Sequence, residues 1–173
     1  MKAEYNELFK KILKSVKDNN FETVITEIMD NPQVDKDKLA KVVSSLCGVE
    51  LSYEDGFTEK LKNAIEHYNA DHKVVSKIDH CDMGCTHQGD SPECMKSCPF
   101  HAIIFNMERN KTFIDTDKCT DCGLCVEACP NASIMDKVEF VPLFNLLKEG
   151  QPVVAAVAPA ISGQFGEASI DQL

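Results

Sequence analysis

Eight of the nine cysteines in this 173-residue chain fall in two runs. The second run, CTDCGLCVEACP, places Cys119, Cys122, Cys125 and Cys129 at gaps of two, two and three, with Pro130 after the last. Three thiols at steps of three let one tight loop wrap a face of a cubane iron–sulfur cluster, while the proline turns the fourth cysteine away. Gly123 permits a close backbone approach to sulfide, where amides can donate hydrogen bonds. Zinc is the plainer alternative for clustered thiols. A zinc ribbon, however, separates its two cysteine pairs by about a dozen residues or more, and these four thiols crowd into eleven.

The first run, CDMGCTHQGDSPECMKSCP, sets Cys81, Cys85, Cys94 and Cys98 at gaps of three, eight and three, again with a proline after the last. Alone, it could be a zinc site or a disulfide loop. Its inner stretch THQGDSPE is polar and carries Gly89 and Pro92, so it can loop out without disturbing the thiols on either side. Both runs close on C-x3-C-P and continue alike, as CPFHAII and CPNASIM. This is an internal repeat, and it makes the first run the mate of the second, half of a two-cluster unit. His80 and His87 could each replace a cysteine ligand, but eight thiols already satisfy two cubanes. His101 is read as a packed or surface residue and Cys47, on an apolar helix face, as core. Asp115 and Asp117 sit where a strand meets a loop and need no catalytic role.

The elements that position these thiols differ in texture along the chain. In residues 3–72 apolar residues recur at helical spacing: Leu8, Phe9, Ile12, Leu13 and Val16, then Phe21, Val24, Ile25 and Ile28. Asn31-Pro32 ends the second helix. Asp35 caps a third, with Leu39, Val42, Val43 and Leu46 on its face and Gly48 at its end. A fourth opens near Thr58 with Leu61, Ala64, Ile65 and Tyr68. From Lys73 the pattern shortens. KVVSKI reads as a strand pairing with residues 133–135, and AIIFNMERNKTFID as two strands around a polar turn at 108–111. VEFVPLFNLLKEG is expected as a connecting helix ended by Gly150, and PVVAAVAP as a buried parallel strand. The expected class is α+β. Its parts are a helical region of unassigned role (1–72), a cluster-binding domain (73–137), and a connecting helix with the start of a further α/β domain (138–173).

With 28 acidic against 18 basic side chains, the net charge is −10. That argues against nucleic acid and anionic membrane surfaces, which demand clustered Lys and Arg. It suits docking to a basic patch on a redox partner and lowers cluster potentials by disfavouring an added electron. MKAEYNELFKK lacks the apolar core of a signal peptide, and PVVAAVAPAI is too short and proline-broken to span a bilayer. A cytoplasmic location is therefore expected, and nine cysteines there point to metal rather than disulfides.

Residues 74–135 resemble the bacterial dicluster ferredoxin domain. The resemblance implies two 4Fe–4S clusters with crossed ligands. Cys81, Cys85, Cys94 and Cys129 would hold one, and Cys119, Cys122, Cys125 and Cys98 the other. VVAAVAPAISGQFGE, residues 153–167, looks like the opening of the catalytic domain of iron-only (FeFe) hydrogenases, where a similar strand follows a ferredoxin domain. This second resemblance implies an anaerobic electron relay that feeds a hydrogen-converting site. Two departures stand out. The first run is stretched where that family is compact, leaving room for a sensory or bifurcating relative. None of the family's active-site motifs (Thr-Ser-Cys-Cys-Pro, Met-Pro-Cys, Cys-x-Gly-Gly-Cys) occurs in the chain. The expected partners are an electron donor and a catalytic domain absent from these residues, with self-association through the apolar tail as a further expectation. A free-standing ferredoxin-like carrier and a redox-sensing signalling protein are the rival readings. Because the first 72 residues hold no expected ligand, a chain starting near His72 is expected to assemble both clusters.

Overall fold

The computed structural model describes residues 3–70, 73–78, 81, 91–106, 111–150 and 152–156. Cys85, His80, His87, residues 108–110 of the expected turn and the tail from residue 157 lie outside them. The four amino-terminal helices form as their periodicity predicts: α1 (Ala3–Lys17), α2 (Phe21–Met29), α3 (Lys36–Leu46) and α4 (Phe57–Glu66). Asp35 starts α3 with its side chain, which accepts from the amides of Asp37 and Lys38 at 2.9 and 3.2 Å. Two donors that the first turn would leave unpaired are thereby satisfied. Ile12, Ile25, Met29, Val43, Leu46, Phe57, Leu61 and Ile65 meet in one core.

The cysteine-bearing half supplies β1 (Val75–Lys77), α5 (Glu93–Ser97), β2 (Ile103–Asn106), β3 (Lys111–Ile114), α6 (Leu124–Ala128) and β4 (Ile134–Asp136). Both expected strand pairs are present and antiparallel. Val75 lies opposite Asp136 in one, and Ile103 opposite Ile114 in the other. The class is α+β. The connecting helix is α7 (Phe140–Lys148). Beyond it, residues 152–156 are exposed and carry no regular secondary structure, with Val154 90% exposed. Helices α5 and α6 go beyond what the sequence pattern predicts. Five residues are too few for a 3.6-residue period to register, and cysteines occupy the positions where apolar residues would have marked it.

The change of texture near residue 72 does not separate two cores. Ile78, Met135 and Val141 are buried among the side chains of the amino-terminal helices. At the join, the hydroxyls of Ser45 and Ser76 meet at 3.1 Å, and the Val138 amide donates to the Ser45 carbonyl at 2.7 Å. Lys137 is buried there. Its ammonium pairs with Glu50 at 2.9 Å and donates to the Lys73 carbonyl at 2.8 Å. The Tyr68 hydroxyl donates to Glu139. A chain starting near His72 would keep every cysteine of the two runs, yet would bare Ile78, Met135 and Val141. The helices cover these three side chains.

Candidate metal centre

The repeat seen in the cysteine runs recurs in the backbone. Cys94 lies within α5 and Cys98 ends it; Cys125 lies within α6 and Cys129 ends it. Both end residues leave their helices by the same extended route, φ −85°, ψ 106° at Cys98 and φ −81°, ψ 104° at Cys129. Three residues on, His101 (φ 51°) and Ala132 (φ 46°) are left-handed. Their amides donate to the Cys98 and Cys129 carbonyls at 3.3 and 3.2 Å. The next amides, of Ala102 and Ser133, donate to the Cys98 and Cys129 sulfurs, both at 3.3 Å.

Each Cys-Pro thus opens a left-handed turn that aims one N–H at the preceding thiol sulfur. Such a bond stabilises a metal-bound thiolate and favours the reduced state of a cluster. A non-glycine residue there costs about 1 kcal/mol, so local propensity does not explain the turn. His and Ala carry no sequence mark of it, and the shared Cys-Pro was the one available signal. His101 is exposed, as the surface alternative required.

The structure brings the two runs together. Cys94 and Cys125 are buried with Val75, Ile103 and Ile134, and Cys98 packs against the same group. All described cysteines are free thiols. Burial pushes the Cys125 thiol up to about 11; nearby Cys119, and behind it Cys98 and Cys122, add to the shift, against a backbone hydrogen bond that lowers it. Cys98 of the first run therefore stands beside a thiol of the second. Thiols from both runs that disfavour one another's ionisation form a donor set suited to a polynuclear cation, which deprotonates bound thiols and offsets the repulsion. Among the described residues, no three His, Cys, Asp or Glu side chains are gathered tightly enough to hold a single ion. Of the expected first set, Cys81 and Cys94 are buried and Cys129 is half-buried.

Asp121, which carries no mark in the sequence, stands beside this donor set. Its Oδ1 accepts from the Val74 and Val75 amides, both at 3.0 Å, and lies 3.8 Å from the Cys119 sulfur. The residue is itself left-handed, φ 55°, a conformation that Asp and Asn tolerate better than most. Lys73 reaches the same place from the strand side, donating to the Cys119 carbonyl at 2.6 Å. Asp115 has a local task instead. It accepts from the Asp117 amide and pairs with Lys118, which chiefly holds its carboxyl below the usual range.

Cys47 is core, as expected, with no exposed surface, and burial pushes its thiol far up. Cys47→Ser should leave iron content unchanged and cost about 1–3 kcal/mol for an unpaired buried hydroxyl. Loss of a cluster on iron assay would return this cysteine to the ligands.

Residues 73–130 match the family of 4Fe–4S dicluster domains. Over 74 residues the chain is 47% identical to one component of the Na(+)-translocating ferredoxin:NAD(+) oxidoreductase complex of Acetobacterium woodii, covering 43% of this chain and 18% of that protein. It is 35% identical over 69 residues to a component of the tetrathionate reductase of Archaeoglobus fulgidus, 38% of this chain and 29% of the relative. The formate dehydrogenase-O iron–sulfur subunit of Escherichia coli is 34% identical over 47 residues, 27% and 15% of the two chains. The chain therefore spans less than a third of each of these relatives. No solved structure gives a significant match. The matched segment is a 4Fe–4S dicluster ferredoxin domain, its cofactors are two 4Fe–4S clusters, and its function is electron transfer through them. The hydrogenase resemblance has no counterpart among these relatives. No helix among the described residues is long and apolar enough to cross a membrane.

Proposed function

We propose, from the dicluster domain at residues 73–130, that the chain relays single electrons between an outside donor and another oxidoreductase domain or subunit. Cys81, Cys85, Cys94 and Cys129 hold one cluster; Cys119, Cys122, Cys125 and Cys98 hold the other. The observation that carries this reading is the position of Cys98. A thiol of the first run packs with Cys125 of the second. When bound, each cluster takes up and gives back one electron without a change in covalent bonding. The chain's own part is to orient the thiols, exclude water around Cys94 and Cys125, and aim the Ala102 and Ser133 amides at ligand sulfur. The relatives bear the names of multi-component oxidoreductases, which supports a recipient of that kind.

A hydrogenase-type recipient is the finer reading, and it rests on residues 153–167. The described residues there, 152–156, expose Val153 and Val154 and form no strand. Anaerobically prepared chain is expected to hold about eight irons and eight sulfides and to accept two electrons. Hydrogen evolution by these residues alone is not expected, because eight cysteines are committed and Cys47 stands apart. Four irons, or stoichiometric zinc, would overturn the relay. Hydrogen evolution from a longer chain carrying the missing cysteine motifs would support the finer reading, and an inactive one would favour the carrier or sensor.

A further inference from the structure

Two charged side chains meet at Cys119, one of the residues expected to hold a cluster with Cys122, Cys125 and Cys98. Asp121 places a carboxylate oxygen 3.8 Å from the Cys119 sulfur, and two strand amides fix it there at 3.0 Å. Lys73 places an ammonium 2.6 Å from the carbonyl of the same cysteine. Both side chains are therefore tied to the backbone rather than swinging in solvent, where salt would screen them. Taking up an electron makes a cluster more negative by one unit. A fixed carboxylate beside a ligand sulfur opposes that change, and a fixed ammonium favours it. In the first run the residue before the second cysteine is Gly84, where the second run has Asp121.

We propose that Asp121 and Lys73 are opposed positioning residues that set the potential of this cluster apart from that of its mate. The carboxylate makes the site harder to reduce, and the ammonium moderates it. The same carboxylate ties β1 to the cysteine loop through the Val74 and Val75 amides, so the strand holds the charge in register with the cluster. No bond forms or breaks and no proton moves. One electron arrives from a low-potential one-electron donor, and the two side chains bias where it rests.

The inference relies on the dicluster reading, and the experiment separates the two. Wild-type, Asp121→Asn and Lys73→Met chains are prepared anaerobically, assayed for iron, and titrated with dithionite while the reduced clusters are followed by electron paramagnetic resonance. Asparagine keeps an acceptor for both strand amides and tolerates the left-handed backbone. In Asp121→Asn one cluster should become easier to reduce by about tenfold in its reduced-to-oxidised ratio, roughly 59 mV for a one-electron couple. In Lys73→Met the same cluster should become harder to reduce. Wild-type chain lacking two clusters would sink the dicluster reading. Full iron with unmoved potentials, equal shifts at both clusters, or shifts of the same sign in the two variants would overturn this inference. Should Asp121→Asn lose iron, the direction of the shift in Lys73→Met decides it.

Discussion

Cys98→Ala chain, reconstituted under anaerobic conditions, is expected to hold about four fewer irons than the wild type, with the loss falling on the cluster proposed for Cys119, Cys122 and Cys125. The reason is geometric. Cys98 leaves α5 in an extended conformation, packs with Cys125, and accepts the Ala102 amide on its sulfur. Alanine removes the sulfur and offers no substitute ligand. Iron count alone would not identify the cluster lost, so the informative comparison is with Cys122→Ala and the double variant. If both residues serve one cluster, the double variant should lose no more iron than either single one. If each run holds its own cluster, the double variant should lose nearly all of its iron. This is the logic of a double-mutant cycle applied to metal content. The second result would replace crossed ligation with two self-contained loops.

Gly48→Val should loosen the join between helices and cluster domain more than any other single substitution of a described glycine. Gly48 is left-handed, φ 80°, and a Cβ there would lie 3.1 Å from the Pro142 side chain and 3.2 Å from both the Glu139 Cα and the Val138 carbonyl oxygen. Two of the three obstacles are backbone, in the segment that leads from β4 into α7. They cannot yield without dragging the Val138–Ser45 hydrogen bond with them. Gly56 provides the control, being left-handed at φ 75° with nothing within 4 Å of its virtual Cβ. Both valine variants carry the backbone strain, about 1–2 kcal/mol. Only Gly48→Val adds the collision, about 1–3 kcal/mol more. At this chain length that excess corresponds to a melting temperature lower by roughly 2–12 °C. Equal melting of the two variants would mean that the segment after β4 is free to move away from α3.

The dicluster domain was legible because iron–sulfur ligation demands one residue type at short, fixed spacings. Eight cysteines, two Cys-Pro endings and a repeated continuation single out the candidate thiols without any knowledge of where the chain goes. The four amino-terminal helices were legible for a related reason, since each has a periodic apolar face long enough to read, and the strand pairs from short apolar runs on either side of the cysteines. Tertiary structure alone decided the rest. Helices α5 and α6 are too short to show a period, and the left-handed turns at His101 and Ala132 are held by amides reaching sulfur rather than by residue preference. Asp121 looks like any loop acid until the start of β1 and the residue before it donate two amides to it. The join between the halves is built from Ser45, Gly48, Ile78, Met135, Lys137 and Val141, ordinary residues whose pairing across the chain leaves no trace in local spacing. Ligands are chosen by element, and packing partners only by shape and place.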